Sequence, residues 1–331
     1  MLYQLVRTIL FQLSPEKAHL LALKTLSVAH QLKLMRLLPK IKADPIEVMG
    51  LHFPNRIGLA AGFDKNGDYI EALASLGFGF IEIGTITPKP QIGNPKPRLF
   101  RLKQDEALIN RMGFNNKGVD YVASKLAKTT YRGILGINIG KNKETPLENA
   151  LDDYLFCFRK LWRYASYVTI NLSSPNTQGL RELQHGELFS NLIAALKKEQ
   201  HTILTQHHRY VPLVVKISPD LTLEELTTLA QVLIAEKIDA VIATNTSISR
   251  FHLKSPLCSE AGGLSGKPLQ ELSTHIIKQL NHLLENKIPI IASGGVMDGQ
   301  AMTEKILAGA SLVQVYTGLI YQGPGIIKEF R

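Results

Sequence analysis

Tyr167-Val168-Thr169-Ile170 runs straight into Asn171-Leu172-Ser173-Ser174-Pro175-Asn176-Thr177. An apolar run that stops in a cluster of carboxamides and hydroxyls reads as a buried strand whose end carries a polar loop. In α/β proteins the carboxyl ends of parallel strands are where ligands bind. Asparagine side chains offer donors and acceptors without charge, which suits a planar heterocycle. The serine hydroxyls beside them offer a group for proton transfer. The same string also reads as a plain turn, because Ser-Pro-Asn is common turn chemistry.

Outward from this stretch the pattern repeats. Apolar runs stand at 57–60, 80–83, 133–137, 213–216, 240–243, 288–292 and 312–315, with helical stretches between most of them, such as 68–76 and 222–236. The latter opens with Thr222 and Glu225 at capping-box spacing. Strands buried on both faces are continuously apolar, so eight β-α alternations predict an α/β fold, a (β/α)8 TIM barrel over residues 43–331. A doubly wound open sheet is the rival; the count and the polar strand tips favour the barrel. The segment 87–116 breaks the rhythm with four prolines and reads as one long functional loop.

Residues 1–42 form a small N-terminal helical extension. Ser14-Pro15-Glu16 reads as a helix start with a capping hydroxyl, and Ala18, Leu21, Ala22 and Leu26 fall on one face. Leu2, Leu5, Val6, Ile9 and Leu10 make a shorter apolar face before it. Seven basic residues and one acid lie here, so the excess of the chain's net charge of +10 is concentrated in this piece. Charges interrupt every apolar run well short of the roughly 20 residues a bilayer needs. The segment reads either as a membrane-surface element or as a helical hairpin packed on its own protein. Only Cys157 and Cys258 occur, with no metal-ligand spacing and no disulfide framework, which fits a reducing cytosol.

The strand tips share one bias. Ala61-Gly62-Phe63-Asp64-Lys65-Asn66 follows the first, then come Gly84-Thr85, Asn138, the Asn171 loop, Lys216, Thr244-Asn245-Thr246, Ser293-Gly294-Gly295 and Tyr316-Thr317-Gly318. Each alone has a dull reading as a cap, a turn or a snorkelling lysine. Together they predict one polar rim. Glycines after the seventh strand and a small polar turn after the eighth form the phosphate corner of many barrels, and Gly266 offers further close backbone approach. No G-x-G-x-x-G follows a strand, so FMN is the economical cofactor rather than a nicotinamide dinucleotide.

The strings Gly58-Leu59-Ala60-Ala61-Gly62-Phe63-Asp64-Lys65-Asn66, Asn110-Arg111-Met112-Gly113-Phe114-Asn115-Asn116, Asn171 to Thr177, Thr244-Asn245-Thr246 and Gly263-Leu264-Ser265-Gly266, with the glycine and Tyr-Thr corner near the end, occur in order across most of the chain. In these the chain resembles the dihydroorotate dehydrogenase family, in its class 2, membrane-associated, quinone-reducing form. The class turns on Ser174, where the soluble class 1 enzymes carry a cysteine as catalytic base. The resemblance implies oxidation of (S)-dihydroorotate to orotate in pyrimidine synthesis, one FMN per chain, and a membrane quinone as final acceptor. It implies Ser174 as base, with Thr177 and Phe114 shaping a proton relay. Lys65, Asn110, Arg111, Met112, Gly113, Phe114, Asn171, Asn176, Asn245 and Thr246 would hold the substrate. Ala61, Gly62, Phe63, Asp64, Lys65, Thr85, Asn138, Asn171, Lys216, Thr244, Gly266, Gly295, Tyr316 and Thr317 would hold FMN. Lys216 would stabilise negative charge on the flavin ring. His19 and Arg101 are candidate contacts for the quinone head group, the N-terminal helices guide the quinone, and no metal is implied. The implied location is peripheral, on the cytoplasmic face of the cell membrane, with no nucleic acid as partner; the oligomeric state stays open between a monomer and an assembly. Rival readings are another FMN barrel such as a 2-hydroxy-acid oxidase, which would need a histidine at a strand tip, a Schiff-base aldolase using Lys216, and a nucleic-acid binder.

Overall fold

A computed structural model describes residues 2–37, 43–250 and 252–329. In chain order the strands are β1 (Ile46–Val48), β2 (Leu51–Phe53), β3 (Ile57–Leu59), β4 (Phe80–Ile86), β5 (Leu99–Leu102), β6 (Ala107–Asn110), β7 (Ile134–Ile139), β8 (Tyr167–Asn171), β9 (Leu213–Ile217), β10 (Ala240–Ala243), β11 (Gly263–Gly266), β12 (Ile290–Ser293) and β13 (Ala310–Val315). Strands β3, β4, β7, β8, β9, β10, β12 and β13 close into a parallel barrel in that order, and β13 returns to pair with β3. These are the eight apolar runs of the sequence. They are apolar because both faces are covered: side chains point either into the barrel or onto the outer helices, and β4, β8, β9, β10 and β12 are buried along their whole length.

The outer layer includes Ala150–Leu161, Gly186–His207, Leu223–Ala235 and Gln270–Leu284. The helix at 223 starts where its capping box places it, with Glu225 N–H on Thr222 Oγ1 at 3.2 Å and Thr222 N–H on the Glu225 carboxylate at 2.7 Å. The helix expected over 68–76 is shorter, Ile70–Ala74. Its first residues are instead a turn held by the Asp64 carboxylate, which accepts from the N–H groups of Asn66, Asp68 and Tyr69.

Two elements were not read from the sequence. β1 and β2 form a hairpin turning at Met49 and Gly50, both at positive φ, and Val48 and Phe53 pack with Phe80, Tyr167, Val214 and Leu312 to plug the amino end of the barrel. The segment 87–116 is not one loop. It contains β5 and β6, which pair antiparallel with each other, and β6 pairs antiparallel with β11 as well, over the opposite, carboxyl end.

Helix α2 (Pro15–Gln31) lies against β5 of this small sheet, and α1 (Leu2–Leu10) against the helix Thr317–Gln322. Ser14 does not cap α2 with its hydroxyl; only its carbonyl is used, accepting from Ala18 N–H at 2.9 Å. Proline at the first helical position supplies the start signal instead. The buried side of α2 is Ala18 and Leu23, while Leu21 faces out, so the expected face is rotated. Arg98 grips Glu16 bidentately through Nε and Nη2 at 2.9 and 3.1 Å, and Tyr3 and Arg7 bond to Ile320 and Tyr321 carbonyls at 2.7 and 2.8 Å. The hairpin thus packs on its own protein and still leaves Leu5, Val6, Ile9, Leu20 and Val28 exposed. Among the described residues no helix is long and apolar enough to cross a membrane.

Candidate active site

A cavity of about 530 Å³ opens at the carboxyl ends of the barrel strands and runs out to α2. The strands deliver Gly84, Thr85, Asn171, Lys216 and Ser293 to its wall, because each is the last or near-last residue before its chain turns. The loops add Ala61 to Asn66, Asn110, Met112, Gly113, Phe114, Ser174, Asn176 and Thr244 to Thr246. Residues scattered over most of the chain therefore meet in one space.

The wall is a network of neutral polar groups. Asn171 Nδ2 donates to Thr85 Oγ1 at 2.9 Å, and its Oδ1 accepts from Asn245 Nδ2 at 3.2 Å. Asn176 Nδ2 donates to Asn110 Oδ1 at 3.2 Å, joining the loop after β8 to the end of β6. Ser174 Oγ accepts from the Asn176 N–H at 3.2 Å, which aims it and offers hydrogen-bond support to any negative charge that develops there. Ser174 is buried, so water is largely excluded around it.

Two lysines carry the charge. Burial pushes the Lys65 ammonium down to about 8, with Glu16 and Asp64 holding it up, and Nζ donates to the Gly62 carbonyl at 2.7 Å. Lys216 is buried in the barrel mouth, and burial lowers its pKa while Glu82 below raises it. No hydrogen bond among the described residues uses Lys216 Nζ. A buried cation facing a cavity without a partner is costly unless a ligand supplies one. At the far corner, Gly294 and Gly295 sit at positive φ with N–H groups that no hydrogen bond among the described residues uses, beside Gly266 and the Ser265–Thr317 hydroxyl pair at 2.9 Å. Free N–H groups at a glycine turn suit a phosphate. The donor set therefore fits a cofactor with a polar ring and an anionic tail: Lys216 would offer charge to the ring, and the N–H groups at Gly294 and Gly295 would hold the tail.

Most of the expected site residues line this one cavity: Ala61, Gly62, Phe63, Asp64, Lys65, Thr85, Asn110, Met112, Gly113, Phe114, Asn171, Ser174, Asn176, Lys216, Thr244, Asn245, Thr246, Gly266, Gly295, Tyr316 and Thr317, with His19 from α2. Four do not. Asn138 lies one layer deeper, bonded to Thr85, Asn171 and Glu82. Arg111 pairs with Glu260 at 2.6 Å and lies over Phe100. Arg101 binds the Phe11 and Leu13 carbonyls, and Thr177 is buried behind the wall. Residues the sequence did not single out also contribute: Leu20 and Leu23 of α2, and Gln314. Gln314 carries a legible signal, a lone amide inside the apolar run of β13; the α2 leucines look like ordinary core.

Neither cysteine reaches the cavity. Cys157 is buried in the Ala150–Leu161 helix and Cys258 sits in a short turn of 3-10 helix. Residues 45–331 match the family model described as dihydroorotate dehydrogenase. The chain belongs to the dihydroorotate dehydrogenase family. The dihydroorotate dehydrogenase (quinone) of Acinetobacter baylyi is 54% identical over 99% of this chain and 98% of its own length. That of Nitrosomonas europaea is 56% identical over 99% of this chain and 96% of its own. A crystal structure of the dihydroorotate dehydrogenase of Eimeria tenella in complex with ferulenol superposes with a TM-score of 0.87 at 40% identity, covering 96% of this chain and 89% of that one.

Within the dihydroorotate dehydrogenase family the match divides at the start of the barrel. The family model begins at 45, whereas the quinone-linked relatives align over 330 residues and so include α1 and α2. The N-terminal helices are therefore shared with the quinone-linked relatives, the branch that Ser174 pointed to. The family is flavin-dependent, which accords with the donor set of the cavity.

Proposed function

We propose that this chain oxidises (S)-dihydroorotate to orotate, binds one FMN, and delivers the electrons to a membrane quinone, in the synthesis of UMP. The observation that carries the reading is the continuity of the cavity: a buried serine, asparagines and lysines at one end, and the inner side of α2 at the other. A dihydroorotate ring held by Asn110, Asn171, Asn176, Asn245 and Thr246 would keep its amide edges hydrogen-bonded, with Met112, Gly113 and Phe114 closing over it. Arg111 acts at one remove, tying this loop down through Glu260. Lys65 is the counter-charge for the substrate carboxylate.

Ser174 Oγ takes the proton from carbon 5. Serine is a poor base, and the Asn176 N–H with the dry surroundings supports the alkoxide character it must acquire. Thr177 and Phe114 shape the route by which that proton leaves. Bound FMN supplies the acceptor for the hydride from carbon 6 and the link to the quinone. Ala61 and Gly62 let the backbone pack close to its ring, Thr85 and Thr244 hold the ring edge with Asn138 behind them, and Lys216 offers positive charge where negative charge collects. Gly266, Gly295, Tyr316 and Thr317 hold its phosphate, while Phe63 and Asp64 shape the turn that carries Lys65. Residues 1–42 form the quinone-access segment on the barrel of 43–331. Their exposed leucines and isoleucine rest on the cytoplasmic membrane surface, with His19 beside the quinone head group.

The test is orotate formation by purified protein with added quinones, together with its flavin content. One FMN per chain and quinone-dependent turnover are expected; a colourless active protein removes the cofactor assignment, and a flavin-loaded protein inert toward dihydroorotate removes the function. Lys65 is charged below about pH 8 and neutral above it. KM for dihydroorotate is therefore expected to be flat at lower pH and to climb as pH passes that value.

A further inference from the structure

Beneath the cavity floor lies a carboxylate that the reaction does not use. Glu82 is fully buried inside the barrel below Lys216, whose charged form it favours without an ion-pair contact among the described residues. It accepts three hydrogen bonds: Asn138 Nδ2 at 2.9 Å on one oxygen, and Tyr167 OH at 2.9 Å and Gln314 Nε2 at 2.7 Å on the other. From Asn138 a line of amides climbs to the cavity. Asn138 Oδ1 accepts from Thr85 Oγ1 at 2.6 Å and Asn171 Nδ2 at 3.2 Å; Asn171 Oδ1 accepts from Asn245 Nδ2 at 3.2 Å; Asn245 Oδ1 accepts from the Thr246 N–H at 2.8 Å. Every donor points down the line toward Glu82.

An amide can be turned over at no cost in shape, so something must choose its direction. Glu82 accepts from all three of its partners, so Asn138 presents its NH2 downward and its carbonyl upward. Asn138 in turn fixes Thr85 as a hydroxyl whose proton is already spent, and Asn171 as a donor toward the barrel. We infer that Glu82 is a positioning residue for substrate binding: it sets the direction of the Asn138–Asn171–Asn245 chain and thereby the pattern of donors and acceptors that the cavity wall shows to the pyrimidine ring. This rests on the reading of the cavity as an orotate site.

Glu82→Gln keeps the shape and makes the direction negotiable. The variant carbonyl is better placed on the side with two donors, Tyr167 and Gln314, which turns its NH2 against Asn138 and obliges that amide to flip into the Nδ2 of Asn171. Buried donors then face each other, and such mismatches cost enough that orotate affinity is expected to fall about tenfold. The holoenzyme is titrated with orotate, and FMN content and steady-state constants are measured alongside. The expected result is a weaker orotate Kd and a raised KM, a much smaller change in kcat, and full FMN content. Tyr167→Phe, which removes a donor to Glu82 without cutting the chain, is expected to leave orotate affinity unchanged. Should Glu82→Gln not yield soluble holoenzyme, Asn138→Leu cuts the chain one residue nearer the cavity and is expected to weaken orotate likewise. Unchanged orotate affinity in the chain-cutting variant, an equal loss in Tyr167→Phe, or loss of FMN with substrate affinity intact would each overturn the assignment. Failure of the unaltered holoenzyme to bind orotate would instead overturn the function proposed above.

Discussion

Ser174→Ala is expected to slow reduction of the bound flavin by dihydroorotate by about a thousandfold, the loss that follows when a positioned proton acceptor is removed. Ser174 is the hydroxyl of the 171–177 loop that lines the cavity; the neighbouring Ser173 is buried and bonded to Asn171 and Asn245. Among the described residues no histidine other than His19 lines the wall, and burial together with Lys65 holds His19 down at about 3, so it stays neutral and is a weak proton acceptor. No substitute base therefore stands ready. FMN binding should survive, since Ser174 lies among the substrate-side residues. Rapid mixing of the anaerobic variant with dihydroorotate measures the rate directly, and reduction at the unaltered rate would remove Ser174 from the role of proton acceptor.

Removing residues 1–42 is expected to lower quinone turnover by at least about a hundredfold, the scale of loss when a reactant is no longer held in place. Flavin reduction by dihydroorotate should persist. α2 contributes Glu16, His19, Leu20 and Leu23 to one end of the cavity, while the substrate-side asparagines all belong to the barrel and its loops. The truncated chain also loses the exposed apolar surface at Leu5, Ile9 and Leu20, so it should no longer sediment with vesicles. Arg98 loses Glu16 but keeps its bonds to the Ile92 and Asn94 carbonyls, so the barrel has reason to hold. Full quinone turnover by a truncated, FMN-loaded chain would disprove the assigned role of the helices.

The barrel was legible because its strands are buried on both faces, which writes a continuous apolar run at each of the eight positions. The rim was legible for the opposite reason: polar residues at strand tips interrupt those runs where the chain leaves the core. The antiparallel strands β5 and β6 were not, since four residues such as Leu99–Leu102, with alternate side chains buried, look like loop when prolines surround them. The hairpin β1–β2 is three residues to a strand and below what periodicity can report. Residue types placed a side chain at the cavity where it enters from its own strand end, as at Asn171 and Lys216. They failed for Arg111 and Arg101, whose motif position and charge suggest ligands but whose partners are Glu260 and backbone carbonyls far away in sequence. They also could not show that Glu82, an isolated acid in an apolar run, is satisfied by Asn138, Tyr167 and Gln314 from three other strands.

The most direct test is the structure of the FMN-loaded protein with orotate bound. The account predicts the pyrimidine ring among Asn110, Asn171, Asn176 and Asn245, its carboxylate on Lys65, and Ser174 Oγ facing carbon 5 on the side away from the flavin. Orotate seated elsewhere, or a ring whose carbon 5 is out of reach of Ser174, would contradict it.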